Sequence, residues 1–203
     1  MLLALTPESV ASPAERADAL ADVSERALFD AIHRGDELRA SQVFAALLPG
    51  VQATLRRVLG STAPNQGELV QRCMERIIGE LAGHGAPWVC SLQVWATSVT
   101  SQVALDVLRG RSRERGVEVA WGDAMAASRE GGDRALGGAS PIDRLRWLLG
   151  ELPRQEALCV VLCDVMGLRT PEVAVTLCVG LEHVKRALAA GHERLSRLML
   201  VSA

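Results

Sequence analysis

Side chains able to do covalent or metal chemistry are few and scattered in this 203-residue chain. The four histidines, His33, His84, His183 and His192, stand far apart, and none lies beside a serine or cysteine in a nucleophile setting. There is no GxxxxGK[ST] loop, and no GxGxxG opening a helix after a strand, to cradle phosphates. No catalytic constellation results, so the chain is not expected to be an enzyme or to carry a cofactor. The five cysteines are Cys73, Cys90, Cys159, Cys163 and Cys178. An odd number without paired spacing is no disulfide framework. Cys159 and Cys163 are one helical turn apart and His183 follows Cys178, the nearest approach to a metal-ligand set. These thiols sit among valine and leucine, where a free cysteine behaves as a small buried hydrophobe. No metal is expected.

The chemistry that remains is recognition by charge. His183, Lys185 and Arg186 lie close together, and Arg109, Arg111, Arg113 and Arg115 form a second basic run. Lysine and arginine neutralise phosphates or donate to a guanine edge. The net charge of −2 is not the footprint of a strong nucleic-acid binder. Its distribution is uneven: residues 1–37 carry 3 basic and 8 acidic side chains, residues 38–113 carry 8 and 4. Lys185 is the one lysine among arginines, a bias that says little about function.

The elements that must position these cations are helical. In residues 151–198, Thr170 is a suitable N-cap, Pro171 a suitable first helical residue, and Glu172 suits the positive end of the helix dipole. Val173, Ala174 and Leu177 share a face, Cys178-Val179-Gly180 breaks the helix, and Leu181, Val184, Leu188 and Leu195 continue as the apolar face of a second helix. A helix, a short turn containing glycine and a second amphipathic helix make a helix-turn-helix pattern. Its second helix would present His183, Lys185 and Arg186.

More specific spacing surrounds that pattern. Leu152-Pro153-Arg154-Gln155, Asp164-Val165-Met166-Gly167-Leu168, Pro171-Glu172-Val173-Ala174, Val184-Lys185 and Glu193-Arg194-Leu195 resemble, without a gap, region 4 of bacterial RNA polymerase sigma factors. Glu68-Leu69-Val70-Gln71 with Met74 and Arg76, and Ser91-Leu92, Trp95, Val103-Ala104-Leu105-Asp106 and Leu108-Arg109, resemble region 2 of the extracytoplasmic-function group. The resemblance covers residues 38–112 and 141–198. It implies a protein that binds core RNA polymerase at the β′ clamp and β flap, contacts promoter DNA and meets an anti-sigma factor. Carried over residue by residue, it implies polymerase contact by Glu68, Gln71, Arg72 and Glu75. It further implies −10 DNA contact by Gln93, Gln102, Arg109 and Arg111, and −35 contact by His183, Lys185 and Arg186.

The same comparison exposes departures. Thr97, Ser98, Ser101 and Gln102 stand where the family has an aromatic residue and several Arg or Asn. Val107 replaces a common His or Tyr, and Gly110 interrupts the basic run. Ala187, Ala189 and Ala190 stand where Arg or His is frequent. Single-strand binding needs stacking platforms and cations, and Trp95 is expected to be a core residue. These departures favour an alternative, a degenerate sigma-like regulator or scaffold that binds polymerase or another regulator without initiating transcription. A third possibility is a helix-turn-helix regulator acting without polymerase.

The expected fold is all-α: two small helical domains joined by a flexible linker, the second holding the helix-turn-helix. Hydrophobic residues make up 49% of the chain, tyrosine is absent and β-branched runs are short, which argues against a large sheet. Residues 13–34 read as an acidic amphipathic helix within an N-terminal extension, residues 1–37. Residues 38–113 form the first domain, with helices expected over Ser41–Leu59, Gln66–Leu81 and Ser91–Leu108, an irregularity at Pro49 and a Gly-rich loop at 82–87. Residues 114–140 are linker by composition, and residues 141–203 the second domain, opened by a helix with Ile142, Leu145, Leu148 and Leu149 on its apolar face. No run of about 18 apolar residues is present to span a membrane. The apolar start is short and lacks a basic segment, so no secretory signal and a cytoplasmic location are expected.

Overall fold

In the computed structural model of the chain, residues 34, 37–61, 65–84, 90–126 and 141–201 are described. The described elements are helical, as expected. They are α1 (Glu37–Leu59), α2 (Gln66–His84), α3 (Leu92–Ala126), α4 (Pro141–Glu151), α5 (Arg154–Val160), a π-helical segment (Val161–Val165), α6 (Thr170–Thr176) and α7 (Leu181–Val201). All but the last residue of the acidic helix expected at 13–34, the end of the expected Gly-rich loop and the second half of the expected linker lie outside the described residues.

The first lobe is three helices with α3 at its centre. In α1, Val43, Leu47, Val51, Leu55 and Val58 fall at helical spacing and are buried. Pro49 does not break α1; it sits on the exposed side of a continuous helix. In α2, Val70, Cys73, Met74, Ile77 and Leu81 form the inward stripe. Helix α3 is buried nearly all round between Trp95 and Leu108, with Trp95 in the core as expected. A helix with that pattern belongs in the middle of its lobe. Its small hydroxyl residues fit there because their donors turn back on the helix: Thr100 Oγ1 donates to Ala96 O at 2.8 Å and Ser101 Oγ to Thr97 O at 2.8 Å.

Several boundaries differ from the sequence reading, beginning with α1, which starts at Glu37 and not at Ser41. Helix α2 continues to His84, into the expected Gly-rich loop. Helix α3 runs to Ala126, through residues 114–126 of the stretch whose composition reads as linker. Only Gly116 and Gly122 interrupt helix-forming residues there, at a cost of about 1 kcal/mol each. The apolar face of α4 is also narrower than its spacing suggests. Leu148 and Leu149 are buried, while Ile142 and Leu145 are exposed.

The second lobe packs α5 and α6 against α7, the π segment meets α5, α6, α1 and α3, and α4 lies along α3. The buried residues of both lobes belong to one continuous apolar core. Two glycines permit close crossings. A Cβ on Gly191 of α7 would stand 2.8 Å from Val160 Cγ2, and one on Gly150 of α4 would stand 3.0 Å from the Leu108 carbonyl oxygen of α3. The π segment was not foreseen. Met166 N donates to Val161 O at 2.9 Å, and Leu168 N to Leu162 O at 3.0 Å, around Gly167 with φ of +76°. This is a left-handed glycine stop, widened by one residue. A π turn is one extra residue inside an α-helix.

Burial pushes the Cys73 thiol up to about 11, as it does for Cys159. Both are neutral packing groups at physiological pH. No described helix is long and apolar enough to cross a membrane.

Candidate nucleic-acid interface

An exposed pair of cations lies at the start of α7. Helix α6 begins one residue earlier than expected. Arg169, not Thr170, is the N-cap, because the Glu172 carboxylate reaches back to accept from Arg169 N at 2.8 Å and from Arg169 Nη2 at 2.8 Å. Those two bonds hold the Glu172 carboxyl below its ordinary range. Pro171 fits within the first turn, where its missing N–H has no helical partner to lose. Helix α6 ends in a tight turn: Leu177 N donates to Val173 O at 2.9 Å, Cys178 N to Val175 O at 3.1 Å and Val179 N to Ala174 O at 3.0 Å. Ala174 is buried where α6 meets α7.

Cys178 holds φ of +53° in that turn. A side chain in the left-handed region costs about 1 kcal/mol that glycine does not. Cys178→Gly is therefore expected to raise stability by about 0.5–1 kcal/mol, read as a higher urea midpoint with an unchanged slope. A lower midpoint would show that the exposed thiol contributes more than the turn strain removes.

Beyond the turn, Val184 and Leu195 anchor α7 in the core and Leu188 is half-buried, whereas Leu181 is exposed. Lys185 and Arg186 are exposed on the opposite face. Lys185 Nζ lies 2.8 Å from Glu182 Oε1, and Arg186 Nε donates to Glu182 O at 3.3 Å. Lys185 holds the Glu182 carboxyl below its ordinary range. Exposed pairs of this kind contribute little to stability, so both cations can exchange Glu182 for a phosphate. His183 is half-buried and its Nε2 stands 3.1 Å from Gln155 Oε1. His183, Arg186 and Ala187 line a cleft of about 320 Å³ with Pro153, Gln155 and Glu156 from the start of α5. The structure thus brings His183, Lys185 and Arg186 together. It adds Gln155, which the sequence reading did not single out. Gln155 lies inside the LPRQ stretch and could have been found there. Of the three alanines, only Ala189 is fully exposed; Ala187 and Ala190 are half-buried.

The second set is also coherent. Glu68, Gln71, Arg72 and Glu75 are all exposed along one side of α2, and Gln71 Nε2 donates to Glu75 Oε1 at 2.9 Å. Cys73 and Met74, between them in sequence, point into the core.

The third set is not gathered on one open face. Gln93 is exposed but lies against α1, where a Cβ on Gly50 would collide with its Nε2. Gln102 Oε1 accepts from Arg76 Nη2 at 3.0 Å. Arg109 is turned toward the second lobe, where its Nη2 donates to Leu152 O at 3.3 Å and its Nη1 lies 3.6 Å from Asp106 Oδ1. Its side chain is 16% exposed, and burial lowers its pKa from the ordinary guanidinium value. Arg111 is half-buried. Ser98 and Ser101, noted as departures on a contact face, are buried. They are packing positions, which explains why they are small.

No family model and no curated protein sequence matches the chain. Among solved structures it is similar to the sigma factor RpoE of Bartonella quintana, determined in complex with the anti-sigma factor NepR. The sequence identity is 17% and the TM-score 0.44, over 80% of this chain and 98% of that one.

Proposed function

We propose that this chain is a sigma factor of the extracytoplasmic-function type, which binds core RNA polymerase and directs it to promoters. Its work is binding and positioning, with no bond made or broken by its own residues. The observation that carries the reading is the pair α6 and α7. They lie in the gap-free sequence pattern described above, and the N-terminal half of α7 presents Lys185 and Arg186 to solvent with His183 and Gln155 beside them. A second helix entering the major groove by its N-terminal residues, with the first helix crossing the backbone, is the docking geometry of a helix-turn-helix. In that pose His183, Lys185 and Arg186 face the −35 element and Arg169 a flanking phosphate. The exposed row Glu68, Gln71, Arg72 and Glu75 on α2 takes the β′ clamp, and the second lobe takes the β flap. An anti-sigma factor as partner and a cytoplasmic location belong to the same reading.

The test is binding of the full chain to core polymerase by interferometry. Glu68→Ala with Gln71→Ala is expected to weaken it ten- to a hundredfold, as for two residues near the centre of an interface. Tight binding unchanged by the double variant would move the polymerase contact elsewhere. No binding by the wild-type chain would remove the sigma reading.

One observation favours the degenerate reading, a regulator that binds polymerase without opening DNA. Gln102 and Arg109, two of the four expected −10 contacts, are engaged within the protein. Transcription from a promoter melted in advance, but not from a duplex promoter, would be its signature.

A further inference from the structure

We propose that Gln155 of α5 is a further DNA-contacting residue: its amide and the Arg186 guanidinium seat one backbone phosphate in the cleft between α5 and α7, and His183 positions that amide instead of reading a base. The inference rests on the sigma reading for the DNA it names, and deepens it by one contact from outside α7.

Pro153 has no N–H to satisfy and stands at the N-cap of α5, so Arg154, Gln155 and Glu156 form the first turn. Ala157 and Leu158 are buried, while Gln155 is exposed. A close crossing holds α5 against α7: a Cβ on Gly191 would stand 2.8 Å from Val160 Cγ2 and 3.4 Å from Glu156 O. That crossing sets the first turn of α5 beside the start of α7. There His183 Nε2 and Gln155 Oε1 are 3.1 Å apart. An amide oxygen only accepts, so the ring nitrogen donates. The bond occupies the amide oxygen and leaves the amide nitrogen, with its two N–H donors, for a ligand. Arg186 is steadied by its Nε, which donates to Glu182 O at 3.3 Å, and its two terminal nitrogens lie outside that bond. Both side chains line the cleft with His183.

An amide and a guanidinium converging on one cleft suit an anion, and Arg binds phosphate with two parallel hydrogen bonds. Glu156 is the carboxylate in the lining, and its Oε2 lies 2.9 Å from Arg194 Nε. Its charge is therefore already met by a cation of α7. The position of the cleft selects a phosphate over a base edge. A recognition helix lies in the major groove and its neighbours meet the backbone that borders the groove. Lys185 and Arg186 point from the exposed face of α7, and the first turn of α5 lies to the side of that face. A neutral amide on a phosphate adds affinity and fixes register, and it carries no sequence information. It also neutralises no charge, so it leaves the salt dependence alone. These two properties separate Gln155 from Lys185 and Arg186 in an experiment.

The full chain is titrated by anisotropy, at several salt concentrations, against two duplexes of equal length. One is selected by the wild-type chain from a random pool and the other has the same bases scrambled. Gln155→Ala is expected to weaken binding to both about tenfold, as for one hydrogen bond to a charged group, with the salt slope of the wild type. His183→Ala should weaken both by a similar factor, and the two changes together should cost no more than either alone. His183→Gln, which can still donate to Gln155 Oε1, should recover most of the loss. Single phosphates of the selected duplex are then replaced by uncharged methylphosphonates. One position should cost the wild type several-fold more than it costs Gln155→Ala. A loss confined to the selected duplex makes Gln155 a base reader and overturns the phosphate seat. Additive losses overturn the positioning role of His183. Should His183→Ala lower the thermal midpoint, His183→Gln and the methylphosphonates still decide. If Gln155→Ala binds as the wild type does while Lys185→Ala with Arg186→Ala does not, the seat alone fails. If that double variant also binds as the wild type does, the recognition face of α7 fails with it.

Discussion

Replacing Lys185 and Arg186 together by alanine is expected to weaken duplex DNA binding about ten- to a hundredfold and to flatten its dependence on salt. Each cation that neutralises a phosphate contributes roughly 0.9 to the slope of log affinity against log salt, so the double variant should be shallower by about 1.8. Where either side chain reads a guanine edge, about 1–3 kcal/mol of discrimination goes with it. The protein itself should be little disturbed. Both side chains are exposed and their partner Glu182 is an exposed residue of the same helix, so thermal midpoints should stay within about 2 °C. The reverse change is as informative. Ala189 is exposed on α7, and Ala189→Arg is expected to strengthen binding and steepen the slope by about 0.9. Fluorescence titrations at four salt concentrations measure both. Equal slopes for wild type and double variant would mean that α7 does not meet phosphate, and the recognition face would have to be sought elsewhere.

Leu162→Ala should be among the most damaging single changes to stability. Leu162 is fully buried in the π segment, and its carbonyl accepts the Leu168 amide that closes the turn before α6. Removing three carbons from a packed core costs about 2–5 kcal/mol, a large part of the total of a typical domain. For a chain of this size the thermal midpoint should fall by about 5–20 °C. The apolar core is continuous between the lobes, so the loss should appear as one transition moved down in temperature. A first transition at lower temperature followed by an unmoved second one would show that the lobes unfold independently. Calorimetry distinguishes the two outcomes.

Much of the helical frame could be read from residue spacing because its signals are local. Gly60, Asn65, Pro141 and the Cys178-Val179-Gly180 turn end or start elements where their backbone preferences dictate. Val173, Ala174, Val184 and Leu195 are buried as their period requires. Failures arose where tertiary packing decides. Ser98 and Ser101 look polar in a sequence, yet each occupies a crowded place in α3 that a larger residue would overfill, and Ser101 satisfies its donor on its own helix. Ile142 and Leu145 fit an apolar stripe, but only Leu148, Leu149 and Gly150 of α4 are buried. The same holds for the candidate contacts. Glu68, Gln71, Arg72 and Glu75 are four exposed residues of a single helix, so periodicity alone gathers them. The surroundings of Arg109 depend on Leu152, which is 43 residues away in sequence, and no local pattern carries that.

The π segment gives the second lobe one residue more than its path requires. Five residues, Val161 to Val165, span a stretch that a plain α-helix would cover with one fewer. Asp164 lies in this stretch and reaches His192 of α7 at 2.6 Å. Deleting one of the five would restore ordinary α-helical hydrogen bonding over the same stretch, so that Gly167 and the start of α6 keep their register with α7. Related chains can therefore lose one residue here without re-aiming α6 and α7, and a gap of one residue placed there would mark an ordinary α turn in place of the π turn.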